Sequence, residues 1–410
     1  MKKMMMIAAL MLLSVSAAFA GNSDALKAIL KSGSYTEANK LVQSTLDQLA
    51  DNSEKAAAYN KVVDLALAAF NDQAKLAQAN KADEATMYDA LETAFAAADE
   101  CYKYDLLPNA KGKVKERFGK VNAVRLAQLR PYLINAGGYY QGKDYNRAFK
   151  LLSSYITIND NPMFAEVKTD PAKDPNYKLA AYYAGYMALM AQNYPDAEKY
   201  AGMAVTDSVN GANALQIQLQ AMKMQLKTAE DSVKFIDKCK ALYDQHPDNQ
   251  AIFANLVDAY NQMNRSADAE KLVDDRLAKQ PNDFIALWVK GQLLEQQNKF
   301  EDAAATLKKS LENTPDQPQT KLQLNASIGD CYLYHAQTRL EKIKGVLSKA
   351  AKDQFVPVYQ EAIKYYEAAK ALDKDQTQKS KYAARLYNCY YFVYGEKDPK
   401  TQEAKTYAGY

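Results

Sequence analysis

Residues 284–317 read FIALWVKGQLLEQQNKFEDAAATLKKSLENTPDQ, and this stretch decides the fold. Two helix-forming segments flank the polar pair Asn298-Lys299, and Pro315 closes the second segment. Proline ends a helix because it lacks the backbone N–H and its ring clashes with the preceding turn. The stretch therefore predicts a hairpin of two helices joined by a short turn.

The hairpin recurs with a fixed period along the chain. Pro247, Pro281 and Pro315 stand 34 residues apart, and Ala269 and Ala303 lie 12 residues before the second and third of these prolines. An internal repeat of this length is typical of a solenoid, in which each unit buries its apolar face against the next.

A second signature marks the second helix of several units. An aromatic residue is followed three positions later by an alanine. The residue four positions after this alanine lies on the same helix face as the alanine. The aromatic covers the turn, the alanine lets the two helices approach, and the third residue fills the gap between repeats. The instances are Tyr35/Ala38/Val42, Tyr145/Ala148/Leu152, Tyr194/Ala197/Ala201, Phe300/Ala303/Leu307 and Tyr359/Ala362/Tyr366. Enlarging Ala303 to leucine is expected to overpack this contact, whereas enlarging Ala304, on the neighbouring face, is expected to cost less.

These positions resemble the tetratricopeptide repeat. Gly185 and Gly291 match the first-helix glycine of that family, and Tyr139 and Tyr260 match its later aromatic residue. The recurring alanines and prolines match its second-helix alanine and closing proline. The resemblance implies an all-α solenoid of antiparallel helix pairs, wound into a right-handed superhelix, with some extended helices. It also implies that the chain binds protein or peptide partners.

The chain after residue 20 is predicted to contain three regions. Residues 21–128 are weakly repetitive and contain long helices. Residues 129–317 hold the regular array, which a proline-rich loop interrupts at 157–177, and residues 318–410 continue it with a helical insertion at about 341–356. The prolines exclude regular helix from the loop. Its apolar residues favour a packed connector over the alternative, a recognition loop.

Residues 1–20 have the pattern of a secretory signal peptide. Lys2 and Lys3 precede an apolar segment, and Ala18-Phe19-Ala20 supplies the cleavage pattern. A membrane anchor is the alternative, but the apolar segment is shorter than the ~20 residues that span a bilayer. We expect a mature chain that begins at Gly21 and lies in the periplasm, with secretion or outer-membrane association left open. No later segment predicts a membrane span.

Composition and motifs exclude several functional classes. A net charge of +3 in 410 residues is too small for general nucleic-acid binding. The chain has no nucleophile elbow, phosphate-binding glycine loop or metal-binding motif, and its four cysteines lack the spacing of metal ligands. We therefore expect no catalytic residues, no cofactor and no metal. Seven basic residues between Lys111 and Arg130 form either a solvated face or a contact for an anionic partner.

First helices line the binding groove in tetratricopeptide-repeat proteins. Matching positions place Tyr182, Tyr186, Asp258, Trp288 and Gln292 in that groove, where rigid aromatic side chains anchor a ligand. These positions lack the lysine and asparagine with which some members clamp a terminal carboxylate, so the resemblance does not imply that activity.

Among the predicted groove residues, Trp288 gives the most specific prediction. Leu287 can occupy the buried family position, so the indole is predicted to face outward, and its truncation is predicted to weaken binding with little loss of stability. A core position for Trp288 is the alternative, favoured by the unusual Lys290. The sequence thus predicts a non-enzymatic scaffold that binds a protein or peptide in the bacterial envelope. A carbohydrate-binding protein that stacks sugars on the groove is the alternative function.

Overall fold

The computed structural model describes residues 23–345 and 347–410, and these fold into eighteen α-helices without a β-strand. Within each of the two compact units described below, helices that follow one another in the chain pack side by side. The predicted all-α fold of helix pairs is therefore confirmed. The predicted signal peptide lies outside the described residues. No helix in the described part of the chain combines the length and hydropathy needed to cross a membrane.

The structure divides the helices between two compact units, with the boundary between Leu226 and Lys227. This boundary falls inside the array predicted over 129–317. The N-terminal unit contains α1 (Asp24–Lys31), α2 (Tyr35–Thr45), α3 (Asn52–Gln78), α4 (Glu84–Asp105), α5 (Gly119–Tyr140), α6 (Tyr145–Thr157), α7 (Tyr177–Met190), α8 (Tyr194–Ala204) and α9 (Gly211–Met224). The C-terminal unit contains α10 (Ala229–Gln245), α11 (Gln250–Gln262), α12 (Ser266–Lys279), α13 (Phe284–Gln296), α14 (Phe300–Asn313), α15 (Pro318–Leu340), α16 (Lys349–Leu372), α17 (Ala383–Tyr394) and α18 (Pro399–Ala408).

Glycines in the first helices set the distance between the helices of a pair. A β-carbon placed on Gly185 would lie 2.7 Å from the backbone nitrogen of Ala201, and one on Gly291 would lie 2.5 Å from Cγ of Leu307. The sequence predicts that Ala201 and Leu307 fill the gap between repeats, whereas these contacts lie within one hairpin. Close packing of this kind leaves no room for a side chain on the facing helix.

The same contact occurs in two further pairs. Gly137 faces Leu152, and a β-carbon on Gly329 would lie 2.6 Å from the ring of Tyr366. Leu152 and Tyr366 again stand four residues after the recurring alanine. All the alanines of the signature are fully buried: Ala38, Ala148, Ala197, Ala303 and Ala362.

Residues in the left-handed backbone conformation follow the first helices of two hairpins, α11–α12 and α13–α14. Asn264 and Asn298, 34 residues apart, have φ values of 56° and 59°, and asparagine tolerates this conformation better than most residues. In the second hairpin the N–H of Lys299 donates to the carbonyl of Leu294 at 2.9 Å, which satisfies a carbonyl at the helix end. The turn position was predicted from the sequence, but this capping geometry was not.

The loop that interrupts the N-terminal unit is packed down. Met163 and Phe164 are buried in it. Asp174 accepts a hydrogen bond of 2.8 Å from the hydroxyl of Tyr155 and lies 2.8 Å from the guanidinium of Arg130. Because Met163, Phe164 and Asp174 are committed to the neighbouring helices, this loop is a packed connector in the structure.

Two local expectations are wrong. Residues 341–345, 347 and 348 form turns and irregular chain instead of helix, and only the end of the insertion predicted at 341–356 is helical, as the start of α16. The added length lies in α15 and α16, which have 23 and 24 residues.

Ala304 is 2% exposed against 0% for Ala303, because the next hairpin covers it with Leu324 and Ile328 of α15. Enlarging Ala304 should therefore destabilise the protein more than its place on the neighbouring face of α14 suggests.

Replacing Gly185 by alanine should destabilise the N-terminal unit. The new methyl group would meet backbone of α8, which cannot rotate away as a side chain can, and overpacking of this kind costs ~1–3 kcal/mol. The control is Gly138→Ala in α5, where a β-carbon has no neighbour within 4 Å. That change should be neutral or stabilise by about 0.5–1 kcal/mol, since alanine is the better helix former. Urea unfolding followed by circular dichroism measures both, and equal midpoints would contradict the role of Gly185.

Candidate functional site

The C-terminal unit contains a cleft of about 490 Å³. It runs across the first helices of two consecutive hairpins, α11 and α13, and reaches the chain that leads into α15. Its lining residues are Gln250, Ala254, Val257, Asp258, Asn261, Phe284, Ile285, Trp288, Val289, Gln292, Leu293, Gln296, Pro315, Gln317 and Thr320. The regular repeat brings these residues together because equivalent faces of successive first helices lie side by side.

The floor of the cleft is apolar. Val257 and Leu293 are buried at its base, while Ile285 and Val289 are half-buried. Trp288 is half-buried as well, and it packs against the cluster formed by residues that include Ala304 and Leu307. Leu287 is buried beside it, as the sequence predicts. Trp288 therefore contributes both to the cleft and to the packing beneath it.

The rim of the cleft is rich in side-chain amides and poor in charge. Its amides belong to Gln250, Asn261, Gln292, Gln296 and Gln317. Asp258 is the single ionisable residue among those that line the cleft, and no lysine, arginine or histidine is among them. Amides both donate and accept hydrogen bonds, so this rim suits a neutral polar ligand.

Two residues that line the cleft each have a polar side-chain atom that is buried and has no hydrogen-bond partner in the protein. These are the indole nitrogen of Trp288, a donor, and the side-chain oxygen of Asn261, an acceptor. A buried polar group that makes no hydrogen bond costs about 1–3 kcal/mol. The two atoms come from neighbouring first helices, α11 and α13.

Lys290 departs from the family pattern and has a structural role away from the cleft. Its ammonium group lies 2.9 Å from Glu270 and 2.9 Å from Asp274, both on α12. Burial lowers the pKa of Lys290, but the hydrogen bonds and charges of the two acids outweigh it, so this pKa lies above its ordinary value. The pair of contacts fixes α13 against α12, which leaves the opposite face of α13, with Trp288 and Gln292, toward the cleft.

The structure brings three of the five predicted groove residues together. Asp258, Trp288 and Gln292 line the cleft. Tyr182 and Tyr186 lie in the N-terminal unit, on α7, where both are half-buried. The ring of Tyr182 packs 5.0 Å from that of Tyr183, and burial raises the pKa of its hydroxyl. Their part in binding stays a prediction.

Sequence reasoning missed the amide rim. Asn261 stands three residues after Asp258, and Gln296 four after Gln292, so both lie on faces already assigned to the groove. That spacing could have identified them. Gln317 could not be found this way, because it precedes a helix and reaches the cleft through the course of the chain after Pro315.

The cysteines, which could otherwise supply reactive groups, are buried in the fold. Burial raises the thiol pKa of Cys101, Cys331 and Cys389, which disfavours the reactive thiolate. Among residues 23–345 and 347–410, no three histidine, cysteine, aspartate or glutamate side chains are grouped as a metal site requires.

Much of the basic cluster at 111–130 is used in internal ion pairs. Arg125 lies 2.7 Å from Asp64, and Arg130 lies 2.8 Å from Asp174. Lys120 lies 2.5 Å from Glu166. The cluster is therefore less available to an anionic partner than the sequence suggests, and its exposed basic residues are Lys111, Lys113, Lys115 and Lys120, the last of them paired with Glu166.

Comparison with known proteins matches residues 254–318 to the family model of the tetratricopeptide repeat. This segment includes most of the cleft. A TPR repeats protein from Bacteroides fragilis is 18% identical, with 63% of this chain and 98% of that chain covered and a TM-score of 0.32. A human IFIT1 dimer with m7Gppp-AAAA is 17% identical, with 78% and 66% covered and a TM-score of 0.38. No curated protein sequence matches the chain significantly.

Trp288 is the single tryptophan of the chain, so its fluorescence reports on the cleft alone. Acrylamide should quench this emission partly, because the ring is half-buried. Trp288→Ala should cost ~1–3 kcal/mol of stability, below the ~3–5 kcal/mol of a fully buried aromatic residue. Trp288→Phe should cost less, since it keeps most of the packing and removes an unsatisfied donor. Urea midpoints compare the variants, and emission that acrylamide leaves unchanged would contradict a ring that lines the cleft.

Proposed function

We propose that this tetratricopeptide-repeat protein is a non-enzymatic scaffold that binds a segment of a partner protein in the cleft of its C-terminal unit. One observation carries the proposal: successive first helices present a continuous cleft with an apolar floor, an aromatic side chain and an amide rim. An apolar surface with a few placed polar groups is the usual composition of a binding site.

The chemistry of the cleft supports binding and offers little for catalysis. General acid–base catalysis needs a titratable group placed against the reacting atoms and tuned by its neighbours. The lining residues include one carboxylate, on Asp258, and no histidine, cysteine or lysine. Asp258 is also exposed, whereas a catalytic carboxylate is commonly shielded from water.

The carbohydrate alternative is not proposed. It relied on Tyr182, Tyr186 and Trp288 as a shared stacking surface. The two tyrosines belong to the N-terminal unit and the tryptophan to the C-terminal unit. In the cleft itself, Trp288 is half-buried and packs against the core, which leaves a smaller stacking surface than a fully exposed ring would offer.

We further propose that the scaffold acts in the periplasm. The support for this location is the sequence of residues 1–20, with its basic start, apolar segment and Ala-x-Ala end. Partners on this proposal are proteins or peptides of the cell envelope.

Export predicts a definite mature terminus. The protein purified from its host should begin at Gly21 and appear in the periplasmic fraction released by osmotic shock. Substituting Ala18 and Ala20 by large residues should block cleavage, because signal peptidase requires small residues there. N-terminal sequencing of each fraction makes the measurement. Recovery of chains that retain Met1 in the soluble cytoplasmic fraction would contradict the proposed location.

A photo-crosslinking amino acid tests partner binding in living cells. Placed at Gln292, on the rim of the cleft, it should yield discrete protein adducts. Placed at Ala305, exposed on α14 and outside the cleft, it should yield none of these adducts. Adding Trp288→Ala to the Gln292 probe should reduce the adducts, because it removes the aromatic anchor. Identical adducts from both positions, or adducts that contain glycan and no protein, would exclude the proposed function.

A further inference from the structure

We infer that the loop between α4 and α5 is a contact surface for a bilayer of anionic lipid. This loop, residues 106–118, presents exposed apolar and exposed basic side chains together. It belongs to the N-terminal unit, whereas the cleft proposed to bind a partner protein belongs to the C-terminal unit. The bilayer contact is therefore a second function, which does not depend on the cleft.

Three large apolar side chains of the loop are exposed to solvent. Leu106 is 43% exposed, Leu107 is 42% exposed and Val114 is 56% exposed. Single exposed apolar residues are common on soluble proteins, but apolar residues that are grouped on the surface mark a contact with a partner or a membrane.

Two closures of the loop bring these three residues to one part of the surface. At the base of the loop, the carboxylate of Asp105 accepts a hydrogen bond of 2.6 Å from the N–H of Arg117. Near the tip, the N–H of Asn109 donates to the carbonyl of Lys113 at 3.0 Å. The two leucines and the valine lie between these closures, on facing segments of the chain. Because one residue spans at most ~3.3–3.6 Å, segments this short keep the three apolar residues close together.

The start of α3 holds the loop in this shape. The carboxylate of Asp51 accepts a hydrogen bond of 2.9 Å from the N–H of Ala110. The guanidinium of Arg117 donates to the carbonyl of Ser53 at 2.6 Å. Since the backbone is fixed near the tip and at the base, the leucines stay at the surface instead of folding onto the helices beneath.

The same loop has three exposed lysines, Lys111, Lys113 and Lys115. None of them forms an ion pair with the part of the chain that the structure describes. Arg117 lies 3.9 Å from Asp105, and Glu116 is the one acid of the loop. Three lysines less one glutamate leave the exposed part of the loop with a charge of +2, which attracts an anionic surface.

A bilayer of anionic lipid matches both features of the loop. Its phosphates attract lysines, each of which strengthens binding about fivefold, and its interfacial layer accepts apolar side chains. An acidic protein or polymer would pair with the lysines but would leave the exposed apolar group without a partner, so the bilayer is favoured. A contact of this size is weak and reversible, so the protein should exchange between the membrane surface and solution.

Vesicle flotation of the chain from Gly21 to Tyr410 tests the contact. The anionic vesicles contain phosphatidylglycerol and phosphatidylethanolamine in equal amounts, and phosphatidylcholine vesicles are the neutral comparison. With lipid in large excess, the protein should float with the anionic vesicles and stay at the bottom with the neutral ones. Raising the salt from about 0.05 M to about 0.5 M should release most of it, because salt screens exposed charges.

Lysine variants separate a local contact from general charge attraction. Replacing the three lysines of the loop by glutamine should weaken vesicle binding about a hundredfold, since three contributions of about fivefold multiply. The matched control removes three exposed lysines of the same unit that lie outside the loop, by Lys31→Gln, Lys40→Gln and Lys81→Gln. It changes the net charge of the chain equally, and its affinity should fall about threefold or less, because distant charges are screened.

A variant with apolar side chains removed separates a bilayer from an acidic polymer. Leu106→Ser combined with Leu107→Ser keeps every charge of the loop. It should weaken vesicle binding about tenfold or more, because the two side chains no longer enter the interfacial layer.

A tryptophan probe reports whether the loop enters the bilayer. In a Trp288→Phe background, which has no other tryptophan, Val114→Trp should shift its emission to the blue on anionic vesicles and be quenched by brominated acyl chains. The control is Leu76→Trp in the same background. Leu76 is 42% exposed near the end of α3, ~35 Å along this helix from the loop, and its emission should not change. Circular dichroism verifies that each variant is folded.

Four results would overturn the bilayer contact. The first is equal flotation with anionic and neutral vesicles, or flotation with neither. The second is a loop lysine variant that binds like its control. The third is a serine variant that binds vesicles as tightly as the unaltered chain, which would assign the lysines to an acidic protein or polymer. The fourth is tryptophan emission at position 114 that vesicles leave unchanged.

Discussion

In four helix pairs, a glycine of the first helix meets a residue of the second so closely that no side chain fits between them, and much of the structure depends on this contact. At Gly185 the partner is backbone of Ala201, and at Gly291 it is the side chain of Leu307. Because dispersion forces fall steeply with distance, this approach lets the buried alanines on either side make full contact. It also sets the angle from which the next hairpin is approached. A larger residue at either glycine would move both helices together with everything stacked on them.

The cleft is a consequence of that packing. Second helices cover the first helices from one side, so the remaining face of α11 and α13 is left to form the cleft. The ion pairs of Lys290 with Glu270 and Asp274 fix the orientation of α13 about its own axis. Trp288 is thereby placed where it both packs against the core and lines the cleft. A binding group supported by the core is rigid before the ligand arrives, which lowers the entropy lost on binding.

Charge patterns in the sequence proved less informative than apolar patterns. The basic residues at 111–130 look like one surface feature, yet Arg125 and Arg130 belong to buried ion pairs with acids that are distant in sequence. An apolar residue has essentially one way to leave water, which is to enter the core. An arginine can pair with a ligand or with an acid of its own chain, and only the fold decides which acid comes near.

The sequence by itself determined the helices, their pairing, the close contacts within hairpins and most of the groove face on α11 and α13. These features follow from spacings of three, four and 34 residues, which are visible in a continuous stretch of chain. Only the tertiary structure decided the break between Leu226 and Lys227, the burial of Ala304 under α15 and the end of helix at Leu340. It alone revealed that Asn261 and Trp288 line one cleft and that each has a buried polar atom without a hydrogen-bond partner. Such facts depend on which distant side chains meet and on which polar atoms lose their water, and neither is encoded in local spacing.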